Sequence, residues 1–153
     1  MNTFNNVIFG QKAFIINDEG EILIVKRDKE LIYVNKWDVP GGKLDNDETL
    51  FEALNREIKE EVGLKLDKII CTLSSSKFKG KLGNDLIVYR NIYLCSAKGK
   101  VELSAEHSEY KWVKPEDLSN YEFADDKDLA DIIKSLPEIL LNLNTNISYS
   151  KLI

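Results

Sequence analysis

The chain has 153 residues, of which 43% are hydrophobic and 31% charged, and its formal net charge is −5. This length and composition predict a single globular domain over residues 1–153 and exclude a disordered or fibrous protein. No apolar run approaches the roughly 20 residues of a membrane-spanning helix, and the first residues lack the features of a signal peptide. We therefore expect a cytoplasmic protein with no membrane partner. Its scattered lysines argue against binding to long nucleic acid, which usually needs a basic stripe.

The first predicted elements are two strands and a glycine-containing segment. Residues 7–17 and 21–27 are rich in β-branched and aromatic side chains, and Asp18-Glu19-Gly20 separates them, so we expect a β-hairpin. Further along, Pro40-Gly41-Gly42 is expected to end any regular element and to let the backbone approach another group closely.

A helical period predicts an α-helix over residues 47–62. Its apolar stripe consists of Leu50, Phe51, Leu54, Ile58 and Val62. Gly63 stands where a glycine commonly ends a helix, and Asp45, Asn46 or Asp47 is expected to cap the first turn.

The second half of the chain predicts more strands and a second long helix. Strands are expected at 68–77, 86–97 and 109–113, a helical turn at 115–118, a helix at 126–143 that Pro137 kinks or restarts, and a loosely held tail at 144–153. Strands alternating with helices favour a mixed sheet covered on both faces. Cys71 and Cys95, isolated in apolar strand-like runs, are expected to be buried free thiols.

Three glutamates of the first helix point to metal chemistry. Glu57, Glu60 and Glu61 have the spacing i, i+3 and i+4, so their carboxylates share one face and repel one another. A nearby cation makes such a cluster tolerable. Carboxylate oxygens without nitrogen or sulfur ligands favour Mg²⁺, with Mn²⁺ as an alternative.

The spacing around these glutamates resembles the signature of a known family. Gly42 is followed after five residues by Glu48 and after seven more by Arg56-Glu57-Ile58-Lys59-Glu60-Glu61-Val62-Gly63-Leu64. Every fixed position matches the Nudix box, G-x5-E-x7-R-E-U-x-E-E-x-G-U, where U is aliphatic. The order of elements over about residues 5–143 is also similar to that family.

The resemblance implies an α/β/α sandwich with a mixed β-sheet and hydrolysis of a nucleoside diphosphate linked to a moiety X. It implies that Glu57, Glu60 and Glu61 bind Mg²⁺. Backbone groups of the Gly-Gly turn, with Gly42 as the candidate, are expected against the metal. From their spacing, Glu48 and Arg56 are interpreted as an ion pair that supports the loop and helix.

In similar proteins a further glutamate before the last strand joins the metals or acts as the base. Its best counterpart here is Glu106, with Glu109 as a rival. The only histidine, His107, is interpreted as an exposed loop residue, with a catalytic role as the weaker alternative.

Three further residues are candidates for substrate binding. Arg27 ends the second predicted strand, where it is either a phosphate clamp or an edge-strand surface charge. Asp125 and Asp126 precede the last helix and are either N-terminal caps or, as in MutT-like members, residues that recognise the purine.

Substrate class follows from markers that this chain lacks. It has no proline at Phe78-Lys79-Gly80, where ADP-ribose hydrolases tend to have one, and no tyrosine at Lys81-Leu82, where diadenosine polyphosphate hydrolases tend to have one. By elimination the chain resembles MutT-like enzymes, which convert a nucleoside triphosphate, normal or oxidised, to a monophosphate and pyrophosphate. The alternatives are a diadenosine polyphosphate or nucleotide-sugar hydrolase and a non-catalytic nucleotide-sensing module. The expected partner is a small nucleotide, bound by a monomer or homodimer.

Overall fold

The computed structural model describes residues 6–28, 34–80 and 85–150, with side chains described as far as residue 144. In chain order the elements are β1 (Val7–Ile15), β2 (Ile22–Arg27), β3 (Trp37–Asp38), β4 (Gly41–Lys43), α1 (Leu50–Val62), β5 (Lys65–Lys79), β6 (Ile87–Lys98), β7 (His107–Val113), a 3-10 helix (Pro115–Asn120) and α2 (Lys127–Ser150). The strands expected after α1 and the helical turn after β7 are therefore confirmed, with ends that differ by a few residues.

The described strands form two sheets between the helices. One has the order β4-β1-β6-β5 and is mixed, because β1 runs parallel to β6 and antiparallel to β4. The other has the order β3-β2-β7 and is antiparallel. The expected sandwich with a mixed sheet is confirmed.

The hairpin predicted for the first two strands is wrong beyond its turn. β1 and β2 meet only at a single bridge, between Ile16 and Ile22, and then enter different sheets. The turn itself forms, with Gly20 at φ 77°. The strands separate because β4 and β6 pair with the edges of β1, while β3 and β7 pair with those of β2.

The hydrophobic core has two parts, one beneath each helix. The part on the α1 side includes Leu54, Ile58 and Val62 of the helix together with buried side chains from both sheets. The part on the α2 side includes Leu129, Ile132 and Leu136 and again draws on both sheets. Side chains alternate between the two faces along each strand, so both helices are held against the same pair of sheets.

Helix α1 begins later than the sequence pattern indicates. Thr49 caps it by accepting from the backbone N–H of Glu52, whose side chain in turn accepts from the backbone N–H of Thr49. The expectation that Asp45, Asn46 or Asp47 caps the helix is therefore wrong, because this reciprocal capping box already occupies the first turn. Leu50 and Phe51 are 43% and 45% exposed, so they do not belong to the buried stripe.

The prediction that Gly41 and Gly42 end any regular element is wrong. They belong to β4, with Gly41 opposite Lys12 and Gly42 opposite Gln11 of β1. A Cβ on Gly41 would lie 2.1 Å from the carbonyl oxygen of Gln11. Neither glycine has a positive φ, so what this segment requires is the absence of a side chain.

Helix α2 continues through Pro137 to Ser150, so the predicted restart and the loose segment from residue 144 to 150 are wrong. Buried Ile132 and Leu136 come before the proline, and Leu140 and Leu143 after it pack on the same core. Packing on both sides offsets the one helical hydrogen bond that a proline cannot donate. Residues 151–153 lie outside the described residues.

No described helix is long and apolar enough to cross a membrane. Cys95 is buried and Cys71 half-buried, and both are free thiols, as expected. Burial, with a smaller contribution from Cys71, raises the pKa of Cys95 to about 12.

Candidate active site

The first carboxylate of the site is held between α1 and β4. Glu57 has a side chain that is 18% exposed, and a Cβ on Gly42 would lie 2.1 Å from its Cδ atom. Glycine at position 42 therefore leaves the space that the Glu57 carboxylate occupies. Burial is the largest cause that raises the pKa of Glu57; Glu60 and Glu61 raise it further, and Arg56 opposes them.

Glu61 lies one turn further along the same helix. Its Oε2 accepts from the backbone N–H of Gly41 at 3.3 Å, and its side chain is 15% exposed. Adjacent glycines of β4 thus contact two of the predicted metal ligands. The short strand fixes where both carboxylates point.

The loop before β7 brings a third carboxylate to this place. Ser104 donates its backbone N–H to the carbonyl of Glu61 at 2.9 Å, and Asp28 donates to the carbonyl of Glu106 at 3.1 Å. With the loop so anchored, one ligand atom each of Glu61, Glu106 and His107 lie within 4.8 Å of one another.

The rival carboxylate points elsewhere. Glu109 contacts Lys26 at 3.9 Å and Lys111 at 3.6 Å, and its side chain is 45% exposed. It is not part of the cluster formed by Glu61, Glu106 and His107. This placement favours Glu106 over Glu109 as the extra carboxylate.

Glu60 occupies the outer edge of the helix face. Its side chain is 60% exposed and its Oε2 lies 3.4 Å from a guanidinium nitrogen of Arg56. Its role as a metal ligand remains a prediction, because in this geometry it contacts Arg56 and lies apart from the Glu61 cluster.

Arg56 connects the loop before α1 to the helix. Its Nε donates to Glu48 at 2.5 Å, and a terminal nitrogen donates to the same carboxylate at 3.0 Å. The guanidinium also donates to Glu57 at 2.8 Å and to the carbonyl of Lys43 at 3.0 Å. The hydrogen bond from Arg56 is the largest cause that lowers the pKa of Glu48. Gly63, with φ 73°, ends the helix.

Two cations, Lys12 and Arg27, share one buried acid, Asp38. Asp38 is 2% exposed; Lys12 donates to its oxygens at 2.6 and 2.7 Å, and the Nε of Arg27 donates to it at 2.8 Å. Lys12 lies opposite Gly41, and Arg27 lies opposite His107. Neither Lys12 nor Asp38 was predicted from the sequence, although Lys12 is a lone charge in an apolar segment.

A buried cation, Arg90, lies near the start of α2. Arg90 donates to both carboxylate oxygens of Asp126, at 2.6 and 2.8 Å, and to Asp128 at 3.2 Å. Its guanidinium also lies 4.8 Å from the ring centre of Phe78. Asp126 accepts from the backbone N–H of Leu129 and so caps α2, whereas Asp125 is exposed.

A pocket lies between the 3-10 helix and α2. It has a volume of about 730 Å³, and Asp125 and Asp126 are among the residues that line it. The glutamates of α1 are not part of its lining. Substrate roles for Arg27, Asp125 and Asp126 remain predictions; Asp125 and Asp126 line this pocket, and Arg27 does not. Lys81 and Leu82 lie outside the described residues.

The interpretation of His107 as an exposed loop residue is wrong. His107 begins β7, opposite Arg27, and its side chain is 8% exposed. Pairing of β7 with β2 turns the ring inward, so that its Nε2 lies 3.5 Å from Glu61.

These residues fit a divalent cation. The Glu57 and Glu61 carboxylates lie against Gly42 and Gly41, and Glu106 adds a carboxylate next to Glu61 from another element. Oxygen donors held on independent elements are what Mg²⁺ and Mn²⁺ prefer.

Comparisons with known proteins agree with this geometry. The family model of the NUDIX domain matches residues 10–136. A nucleoside triphosphatase, NudI of Escherichia coli, is 32% identical over 117 residues, which cover 71% of this chain and 83% of that protein.

Solved structures show the same likeness. A MutT protein from Methanosarcina mazei superposes with a TM-score of 0.69 at 28% identity, over 87% of this chain and 94% of its own. A MutT NUDIX hydrolase from Burkholderia pseudomallei superposes with a TM-score of 0.64 at 28% identity, over 74% of this chain and 88% of its own.

Proposed function

The chain belongs to the Nudix family and is a hydrolase of phosphoanhydride bonds, and we propose that it converts nucleoside triphosphates to monophosphates and pyrophosphate with Mg²⁺. The observation that carries this proposal is the placement of Glu57 and Glu61 against Gly42 and Gly41, with Glu106 brought next to Glu61 by the loop before β7. A non-catalytic module would have no need of carboxylates placed in this way.

Nudix hydrolases typically use a divalent cation, and here Glu57, Glu61 and Glu106, with Glu60 at the edge, would hold it. When bound, the cation neutralises charge on the phosphate oxygens and so favours attack at phosphorus. Without it, the carboxylates would repel a polyphosphate substrate, since the site carries several negative charges in a small volume.

Cations of the chain itself complete the phosphate site. Lys12 lies opposite Gly41 and Arg27 lies opposite His107 in the sheets, and both side chains are paired with Asp38. A guanidinium forms two parallel hydrogen bonds with a phosphate, and an ammonium acts as a point charge. We assign Arg27 and Lys12 to the binding and orientation of the β- and γ-phosphates, which become pyrophosphate.

The reaction adds one water across the bond between the α- and β-phosphates. The oxygen of water joins either the α- or the β-phosphorus, the bond from that phosphorus to the bridging oxygen breaks, and the bridging oxygen stays with the product that contains the other phosphorus. A carboxylate oxygen of the cluster takes one proton from the water. A base must lie within hydrogen-bond reach of that water. Glu106 is exposed and lies against Glu61, which gives its carboxylate access to solvent and to the reacting group together.

Two features support a nucleoside triphosphate as the substrate. Asp125 and Asp126 line a pocket large enough for a nucleoside, and carboxylates accept hydrogen bonds from the N–H groups of a base edge. The relative from E. coli is named as a nucleoside triphosphatase. Neither feature selects among the bases.

A substrate panel tests the proposal. Purified protein with Mg²⁺ would be assayed on the ribo- and deoxyribonucleoside triphosphates, oxidised purine nucleotides, diadenosine polyphosphates and nucleotide sugars, with products separated by ion exchange. We expect monophosphate and pyrophosphate from the triphosphates, no turnover with EDTA, and none from Glu61→Gln. Diphosphate and orthophosphate as products, or a larger kcat/KM for a nucleotide sugar or a dinucleoside polyphosphate, would overturn the proposed reaction.

A further inference from the structure

His107 has a buried side chain beside Glu61. Its side chain is 8% exposed, and neither ring nitrogen has a hydrogen-bond partner among the described residues. Buried imidazoles normally satisfy at least one nitrogen, because an unpaired polar atom has lost its water without compensation. A ring nitrogen of His107 is therefore available to bind a group other than these residues.

The ring points at carboxylates. Its Nε2 lies 3.5 Å from Oε2 of Glu61, although the pair forms no hydrogen bond. Ligand atoms of Glu61, Glu106 and His107 all lie within 4.8 Å of one another. Two atoms bound to one ion at about 2.1 Å are separated by about 3.0 Å at a right angle and about 3.4 Å at a tetrahedral angle. An ion fits between Nε2 and Oε2 with little movement of either.

The backbone holds all three residues in this arrangement. His107 donates its backbone N–H to the carbonyl of Ser104 at 3.3 Å, and Ser104 donates to the carbonyl of Glu61 at 2.9 Å. His107 also pairs with Arg27 in the sheet. The imidazole is thus placed by β7 and the carboxylate by the end of α1, on elements that are tied directly to one another.

We propose that His107 binds a divalent cation through a ring nitrogen, together with Glu61 and Glu106. The inference rests on the metal site of the proposed function and adds a nitrogen ligand to it. Imidazole binds Mn²⁺ or Co²⁺ better than Mg²⁺, which prefers oxygen throughout. One ion position of this chain therefore favours a transition metal over Mg²⁺.

The composition of the chain makes the test direct. His107 is its only histidine, so tag-free protein labelled with ¹⁵N-histidine carries the label in one side chain. Pulsed electron paramagnetic resonance of the Mn²⁺-loaded protein, at less than one ion per chain, should show coupling to the ¹⁵N nucleus. The same measurement on unlabelled protein should show ¹⁴N coupling in its place.

Matched variants separate ligation from packing. His107→Gln should remove the coupling and weaken Mn²⁺ binding at least tenfold in calorimetric titration, with a smaller effect on Mg²⁺. Glu109→Gln is the control, since Glu109 lies two residues away and outside the cluster; it should keep both the coupling and the affinity.

Other results would overturn the inference. Mn²⁺ bound to the wild-type chain without histidine coupling would exclude nitrogen ligation, and this measurement does not depend on whether a variant folds. An unchanged Mn²⁺ affinity of folded His107→Gln would do the same. Histidine coupling without hydrolysis of any nucleotide would support His107 as a metal ligand and refute the proposed function. Hydrolysis without histidine coupling would support the proposed function and refute His107 as a ligand.

Discussion

The carboxylate of Glu57 occupies the space in which a side chain at position 42 would lie. A Cβ on Gly42 would be 2.1 Å from Cδ of Glu57 and 2.4 Å from its Oε2. The contact joins β4 to the middle of α1, and a hydrogen bond between Gly41 and Glu61 joins them again one turn later. The missing side chain therefore sets the position of a functional group on another element.

We expect Gly42→Ala to reduce kcat/KM at least about 100-fold, because a displacement of about 1 Å at a reacting group has an effect of that size. The added methyl group cannot be accommodated unless Glu57 moves. Steady-state kinetics on the preferred nucleotide would measure the loss, and circular dichroism would show whether the fold persists.

Gly10→Ala is the matched control for Gly42→Ala. Gly10 lies opposite Lys43 in the neighbouring strand, and a Cβ there would meet its nearest atom, in Arg90, at an ordinary 3.7 Å. This variant should keep activity within a few-fold of wild type. Full activity of folded Gly42→Ala would show that the position of Glu57 is not critical.

Glu106→Gln and Glu109→Gln should differ in activity. Glu106 belongs to the cluster with Glu61, whereas Glu109 contacts Lys26 and Lys111 at the surface. We expect the first change to lower kcat about 10- to 100-fold and to raise the Mg²⁺ concentration needed for half-maximal rate. The second should alter neither. The reverse result would identify Glu109 as the extra carboxylate.

Arg56→Lys should lower activity about 10- to 100-fold, as changes to residues that orient metal ligands commonly do. A lysine has no planar fork with which to bind Glu48 twice and Glu57 once. Kinetics would measure the loss and thermal unfolding the accompanying decrease in stability. Lys59→Gln, at an exposed cation of the same helix, should be neutral; wild-type kinetics of Arg56→Lys would contradict the orienting role.

The pH dependence of stability should report on Asp38. Burial raises its pKa, but Lys12 and Arg27 outweigh that effect and leave it below the ordinary value of 3.8. An acid with a lowered pKa in the folded state stabilises the fold fully above its unfolded pKa and loses that contribution as the pH falls through the folded value. The wild-type free energy of unfolding should therefore decrease as the pH falls below 3.8.

Asp38→Asn should remove part of that decrease. Near neutral pH it should lower the free energy of unfolding by about 3–5 kcal/mol, because it leaves Lys12 and Arg27 without their shared acid. Urea unfolding at a series of pH values would measure both effects. Asp18→Asn, in the exposed turn, should leave the profile unchanged. A profile of Asp38→Asn parallel to that of wild type would refute the assignment.

Local spacing explains what the sequence could predict. The buried stripe of α1 at Leu54, Ile58 and Val62 and its end at Gly63 follow from residues within a few turns of one another. The ion pairs could not be predicted in this way, because Lys12 and Asp38 are 26 residues apart and Arg90 and Asp126 are 36 apart. Only the tertiary packing brings them together, because Lys12 and Asp38 lie in different sheets and Asp126 precedes α2.

The burial of His107 could not be predicted from the local sequence either. Its neighbours in sequence are polar, so the local pattern indicates exposure, but pairing with Arg27 turns its ring into the site. The hairpin expected for β1 and β2 failed for a related reason. A turn between two strands shows that they are close at one end and leaves open which sheet each one joins.

The segment from Trp37 to Lys43 belongs to both sheets. Trp37 and Asp38 pair with β2 in the antiparallel sheet, and after Val39 and Pro40 the chain pairs with β1 in the mixed sheet. Asp38 holds a lysine of the opposite sheet, while Gly41 holds Glu61. A movement of one sheet relative to the other would therefore displace the carboxylates. We expect hydrolysis to be lost at lower denaturant concentrations than secondary structure.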